Sequence, residues 1–215
     1  MQAKNTLYPV FLKLDQIEVL IIGAGAIGLE KLTYMLKSSP EANITVIAKE
    51  FHYKVVELSY FYSNIHLVTK PYHKTDLEGV DLLIVATDQH ELNTQIKKDA
   101  KNLNILANVA DNPELCDFYL GGVVTKGPIK LGISTNGQSP TLAKKLRMFF
   151  EEVLPDEVAF SAELLNEIRK KMKHDLHHKI TTLNSVTSAL NTNTTYKIDY
   201  ESKKFAKADF EIFLN

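Results

Sequence analysis

Strong charge of either sign is missing from this 215-residue chain: 25 Lys and Arg stand against 26 Asp and Glu, a formal net charge of -1. A dedicated nucleic-acid binder usually carries a marked basic excess, so no nucleic-acid partner is expected. Arginine is scarce; only Arg147 and Arg169 occur, and the other fixed cations are lysines. The one cysteine, Cys116, excludes an intramolecular disulfide and a cysteine-built zinc site, and it fits a reducing compartment. No apolar run has the length needed to span a bilayer, so no membrane partner is expected. Met1 to Asn5 are polar and lead into no apolar core of signal-peptide length. A soluble cytoplasmic protein is therefore expected. Repeats of solenoid period are also lacking.

What is present is a chain 45% hydrophobic, enough to build a core. Residues 17–22 form an almost continuous aliphatic run, as in a strand buried on both faces. Residues 26–37 repeat Ile27, Leu29, Leu32, Met35 and Leu36 at helical spacing, and Ser38-Ser39-Pro40 ends that helix. Residues 43–48 read as a second strand, completing a βαβ unit. The pattern then repeats more loosely: an aromatic-rich helix at 51–62, strands at 65–68 and 81–86, a helix at 91–101 and a strand at 105–109. Such alternation predicts an α/β fold, a Rossmann-type parallel sheet covered on both faces. After Asp111 the grammar changes. Two strands at 118–125 and 129–134 are expected, joined at Lys126-Gly127-Pro128. A helix follows to about Val153, with Ser139 as N-cap and Pro140 at its first position. Helices are also expected at 156–179 and 201–214.

Between the first strand and helix lies Gly23-Ala24-Gly25-Ala26-Ile27-Gly28. In a G-x-G-x-x-G turn the first glycine allows the tight bend, the second lets backbone approach a pyrophosphate, and the third lets helix and strand pack closely. The helix start offers N–H groups and a positive dipole end to phosphates. The strand–turn–helix context favours dinucleotide binding over a turn that merely permits close packing. Gly23, Gly25, Ala26, Ile27 and Gly28 are the candidate cofactor residues. The acid that usually holds the adenine ribose is not in its place: the second strand ends Ala48-Lys49-Glu50, with Glu50 slightly late and Lys49 suited to a 2′-phosphate. On physical grounds NAD and NADP both remain open. Ala48 and Lys49 join the candidate cofactor residues. So do Thr87 and Asp88, at the end of the fourth strand, where helix capping is the competing role.

Downstream come Asn108-Val109-Ala110-Asp111 with Pro113, the Lys126-Gly127-Pro128 turn, and Ser134-Thr135-Asn136-Gly137-Gln138-Ser139-Pro140 followed by Leu142, Ala143, Leu146 and Arg147. Taken in order with Lys31, Ala86-Thr87-Asp88 and Asn93, these residues resemble the precorrin-2 dehydrogenase family, which is similar to the N-terminal part of siroheme synthase. The resemblance covers about residues 7–155. It implies NAD-dependent oxidation of precorrin-2 to sirohydrochlorin, with iron insertion as an added activity of some members. It makes Asp111 the acid/base residue. It also implies a homodimer built through the segment after Asp111. The chain departs from the family pattern at Glu30, at Gly121-Gly122 and at Gly28, where alanine is common.

These readings divide the chain into a Rossmann domain at 1–112, a dimerisation and substrate segment at 113–153 and a helical C-terminal domain at 154–215. A tetrapyrrole rich in carboxylates calls for hydroxyls and cations. Asn108, Ser134, Thr135, Gly137 and Ser139 are the candidate substrate contacts. Lys126, Lys130, Lys144, Lys145 and Arg147 lie in the same segment, although a solvated surface charge is the commoner role for any one lysine. For Asp111 the competing role is an Asx-turn before Pro113. Cys116 has no histidine placed as its base and reads as a small buried residue. His174-x-x-His177-His178 could share a helix face, but a solvated face is the better reading, and no metal site is expected. A nucleotide-sensing Rossmann module would explain the glycine turn but not the motifs from Asn108 to Arg147.

Overall fold

The computed structural model describes residues 5–171. Val19–Ile22 (β1) and Leu82–Val85 (β4) are four-residue aliphatic runs buried throughout. Around them lie Ala26–Ser38 (α1), Ile44–Ala48 (β2), Tyr53–Phe61 (α2), Ile65–Thr69 (β3), His90–Asn102 (α3) and Leu106–Val109 (β5). The five strands pair in parallel in the order β3-β2-β1-β4-β5. This is the Rossmann-type α/β arrangement that the sequence predicts.

Side-chain alternation explains why the central strands are apolar at every position. Val19, Ile21, Leu82 and Ile84 face a core completed by Leu32, Met35 and Leu36 of α1 and Val55 of α2. Leu20, Ile22, Leu83 and Val85 face a second core with Ile96 and Ala100 of α3 and Leu77. Successive residues point to opposite faces, so a strand covered on both sides leaves no polar positions. Each fully buried aliphatic side chain contributes roughly 1.5–3 kcal/mol.

The chain runs outward from β1 through β2 to β3, then returns to lay β4 on the other side of β1. The carboxyl ends of β1 and β4 therefore flank the switch point, where ligands bind in open α/β sheets.

β5 is one of the two edge strands, and the residues after it cover that edge. A short 3-10 turn at Pro113–Leu115 brings the chain back. The Asp117 N–H then donates to the Ala107 carbonyl (2.8 Å), and the Asp117 carboxylate accepts from the Ala107 N–H (2.9 Å) and from Lys97. Closing an edge in this way removes unpaired backbone groups. It also corrects the strand expected from Phe118: the antiparallel hairpin begins only at Gly122–Lys126 (β6) and pairs with Ile129–Ile133 (β7).

Pro140–Val153 (α4) packs on β6 and starts as expected, with Ser139 Oγ accepting from the Leu142 N–H (3.2 Å). The hairpin is tied to the sheet layer by Lys130, whose ammonium donates to the carbonyl and hydroxyl of Ser38 at the end of α1. These elements form one compact unit ending at Asp156. Glu157–Lys171 (α5) belongs to a second unit and is helical, as expected for its part of 156–179. The helix expected at 201–214 and the His174, His177 and His178 cluster lie outside the described residues.

Candidate functional site at the carboxyl edge of the sheet

The glycine turn is shaped by two close approaches. Gly23 has φ of +101°, and a β-carbon there would meet the Ala86 carbonyl oxygen at 2.4 Å. The strand ends of β1 and β4 thus touch through backbone. A β-carbon on Gly28 would lie 2.1 Å from the Gly23 oxygen, so α1 leaves the strand with no room for a side chain. Gly25 differs: nothing lies within 4 Å of its absent β-carbon. Its lack of a side chain serves neither helix nor sheet packing, and it keeps the mouth of the turn bare. Such a cradle fits a dinucleotide pyrophosphate.

The donors agree. Gly25 is the N-cap of α1 and makes no side-chain cap bond, and the first intrahelical bond runs from the Leu29 N–H to the Gly25 carbonyl (2.9 Å). The N–H groups of Ala26, Ile27 and Gly28 are the first-turn donors left for an anion. At α4 the situation is reversed. Pro140 has no N–H, Leu142 donates to Ser139 Oγ and Ala143 to the Ser139 carbonyl, which leaves Thr141 in that first turn. Fewer first-turn N–H groups are thus free at α4 than at α1.

The other cofactor candidates line the same edge in different ways. Ala48 ends β2 half-buried, and Lys49 and Glu50 after it are exposed. The His52 N–H donates to the Ala24 carbonyl (2.9 Å), which folds this stretch against the glycine turn. Asp88 is exposed. Thr87 is turned inward: its hydroxyl donates to Asn93 Oδ1, the Asn93 amide donates to the Thr87 carbonyl (3.0 Å), and Thr87 Oγ1 accepts from the Gln89 N–H (3.2 Å). Asn93 is 6% exposed, so this is a buried lock on the loop after β4. The sequence placed Asn93 in a motif without giving it a task; an amide one turn into a helix, behind a strand-end threonine, is the signal for one.

Asp111 stands just beyond β5 in a turn closed from the Asn112 N–H to the Val109 carbonyl (3.3 Å). It is exposed, with φ of +58°. Left-handed backbone costs a non-glycine residue roughly 1–2 kcal/mol, and such residues cluster at functional sites. β5 is two strands from β1, so this carboxylate stands about 10 Å along the edge from the glycine turn, on the β4 side.

Asn108 is 7% exposed, and its amide donates to the Phe118 carbonyl (2.8 Å). That places its side chain inside the edge closure. Cys116 Sγ lies 3.2 Å from both the nitrogen and the oxygen of Val109 and 3.3 Å from the Asn112 oxygen. Burial pushes its thiol pKa up, against the opposing pull of the Val109 N–H and of Lys97 and Lys31. A protonated, engaged thiol agrees with the reading of Cys116 as no nucleophile.

The Ser134 to Ser139 loop is built largely from its own hydroxyls. Ser134 Oγ accepts from the Asn136 N–H, and Thr135 Oγ1 accepts from the Ser139 N–H and donates to the Ser139 carbonyl. Asn136 and Gly137 both have positive φ, and the Gln138 N–H bonds to the Thr135 carbonyl, a turn of the Asn-Gly type. Gly137 lies against Tyr119, with the Tyr119 ring 4.0 Å from where a β-carbon would be.

Three expected cations are engaged elsewhere: Lys126 pairs with Asp156 (2.6 Å), Lys130 holds α1, and Arg147 pairs with Glu151 (2.5 Å). Lys144 and Lys145 are exposed on α4. Clefts of about 290 Å³ between β1 and Val80 and about 330 Å³ around Ser38 and Lys13 include neither the glycine turn nor Asp111. Among the described residues no three His, Cys, Asp or Glu gather as metal ligands, and no helix is long and apolar enough to cross a membrane.

Known proteins match the chain across both parts. Residues 10–122 match the family model described as "Putative NAD(P)-binding", and residues 126–152 match "Sirohaem biosynthesis protein central". The siroheme synthase of Psychrobacter arcticus is 38% identical over 167 residues, 77% of this chain and 30% of that protein. The siroheme synthase of Methylococcus capsulatus is 36% identical over 165 residues, 77% of this chain and 34% of that protein. The chain thus spans about a third of the length of the curated relatives it matches. The solved structure titled "SirC, precorrin-2 dehydrogenase" shares the fold, with a TM-score of 0.68 and 24% identity, over 84% of this chain and 89% of that one. With the first model covering just over half of its length, and covering the glycine turn and Asp111 together, the chain belongs to that NAD(P)-binding family, and the segment behind it is similar to the central part of the sirohaem biosynthesis proteins.

Proposed function

We propose that the protein oxidises precorrin-2 to sirohydrochlorin with NAD as hydride acceptor. The observation that carries this reading is the pairing, on one sheet edge, of a bare phosphate turn at Gly23 to Gly28 with an exposed carboxylate at Asp111, whose backbone is left-handed. The backbone N–H groups of Ala26, Ile27 and Gly28 hold the pyrophosphate, and the stretch from Ala48 to Lys49 flanks the adenosine end. A bound nicotinamide supplies the hydride acceptor. Each new double bond in the macrocycle releases one hydride and one proton. The Asp111 carboxylate takes the proton, for which exposure to solvent gives an exit. The relatives' name, siroheme synthase, supports the substrate class.

The hairpin and α4 form the second half of this reading. α4 has no fully buried residue, Met148 on it is 54% exposed, and Tyr8, Val10 and Phe11 stand exposed in the strap before β1. Apolar surface left open on this segment supports a homodimer joined through it. Asn108, Ser134, Thr135, Gly137 and Ser139 then act on substrate chiefly by shaping backbone, since most of their polar side-chain atoms serve the protein itself. We assign the reaction to the cytoplasm, in keeping with the single thiol.

Anaerobic incubation of the purified protein with precorrin-2, with NAD and NADP side by side, tests the reading. Appearance of the sirohydrochlorin spectrum with NAD supports it. Cofactor binding without turnover would instead favour a nucleotide-sensing module. A parallel incubation of sirohydrochlorin with Fe²⁺ tests chelation, and light scattering reports the dimer.

A further inference from the structure

Asp111 holds a left-handed conformation, yet the backbone bond closing its turn, Asn112 N–H to Val109 carbonyl at 3.3 Å, is longer than a usual hydrogen bond. The Ala110 N–H anchors the turn to the Val85 carbonyl (2.8 Å), and side-chain contacts brace it further. Both ends of the turn meet one atom, Cys116 Sγ. The Val109 N–H donates into the sulfur at 3.2 Å, and the thiol proton is offered to the carbonyls of Val109 (3.2 Å) and Asn112 (3.3 Å). Cys116 is held in turn by Asn108. The Asn108 amide reaches the sulfur at 3.5 Å and donates to the Phe118 carbonyl at 2.8 Å, fixing the chain on the far side of the cysteine. Asp117 adds a third fastening on Ala107.

We propose that Asn108 and Cys116 are positioning residues that clamp the turn after β5 and so hold the Asp111 carboxylate in place at the sheet edge. Neither needs to touch substrate or cofactor for this; both act through Asp111. The inference rests on the reading of Asp111 as the proton acceptor. It gives Asn108 a task different from substrate contact. It also explains a cysteine with no nucleophilic role. The sulfur is long-bonded and large enough to touch three backbone atoms at once, and serine offers the same donor at shorter reach.

Cys116→Ala, Cys116→Ser and Asn108→Ala, each alone and combined with Asp111→Ala, test this in the full chain. In the Asp111 background Cys116→Ala should lower kcat by roughly ten- to a hundred-fold, the scale of a misplaced catalytic group, with the NAD Kd unchanged. Cys116→Ser should recover most of it. In the Asp111→Ala background neither Cys116→Ala nor Asn108→Ala should cost anything further. Equal losses in both backgrounds, or full kcat in both single variants, overturn the proposal. A second readout is independent of turnover: the backbone NMR signature of left-handed φ at residue 111. Its loss in Cys116→Ala supports the clamp, and its retention overturns it. If the unaltered protein fails to oxidise precorrin-2, the proposed function falls, while this readout still decides the clamp.

Discussion

The β-carbon that Gly28 lacks would fall 2.1 Å from the carbonyl oxygen of Gly23. The third glycine of the turn is thus held by the first, across the base of α1. Alanine, common here in the family the sequence resembles, does not fit this backbone without a shift. Gly28→Ala should destabilise the protein by about 1–3 kcal/mol, the usual range for overpacking, and weaken NAD binding. Thermal melts and a fluorescence titration with NAD check both effects.

Gly25 should behave in the opposite way. Nothing lies within 4 Å of its missing side chain, and its φ of -77° suits any residue. Gly25→Val should leave the melting temperature nearly unchanged while raising the NAD Kd at least ten-fold. Equal NAD affinity in Gly25→Val and the parent chain would remove the turn from the cofactor site.

The lock after β4 gives a stability prediction. Removing the buried Asn93 amide leaves the Thr87 hydroxyl and carbonyl without it. Asn93→Ala should cost about 1–3 kcal/mol by denaturant unfolding. Thr87→Val should cost less when added to Asn93→Ala than when made alone, because the two side chains share one network.

A pH dependence follows from Tyr72. Burial and its hydrogen bond to Asp99 (3.1 Å) push the Tyr72 pKa up from its ordinary value. The unfolded chain loses this proton first as pH rises. Stability is therefore intact below about pH 10 and falls above it. Tyr72→Phe should flatten that alkaline limb in unfolding curves measured from pH 8 to 11.

The sequence made some of this legible and hid the rest for identifiable reasons. β1 and β4 could be read because burial on both faces forces an aliphatic residue at every position. The glycine turn could be read because its three glycines answer to three local constraints. The residues from Phe118 to Gly121 could not. Their alternation resembles a strand, but they serve as the lid of an edge, and only the partner strand reveals that. Lys130 is one of several cations near the candidate substrate contacts, for each of which a solvated surface charge is the commoner reading. It is spent on Ser38, 92 residues away, and no local pattern encodes that contact. Asn108 and Thr87 sit where ligand-contacting residues sit, yet their polar atoms turn inward.

That grip of Lys130 on Ser38 has one more consequence. α1 is 13 residues long, so its poles stand about 20 Å apart. The negative pole is neutralised from within by a lysine of the same chain, and the positive pole opens at the sheet edge with no side chain on Gly25 to cross it. The helix is a battery wired at one terminal only. Added salt should do little at the wired end, while at the open end it competes directly with the phosphates of the incoming cofactor.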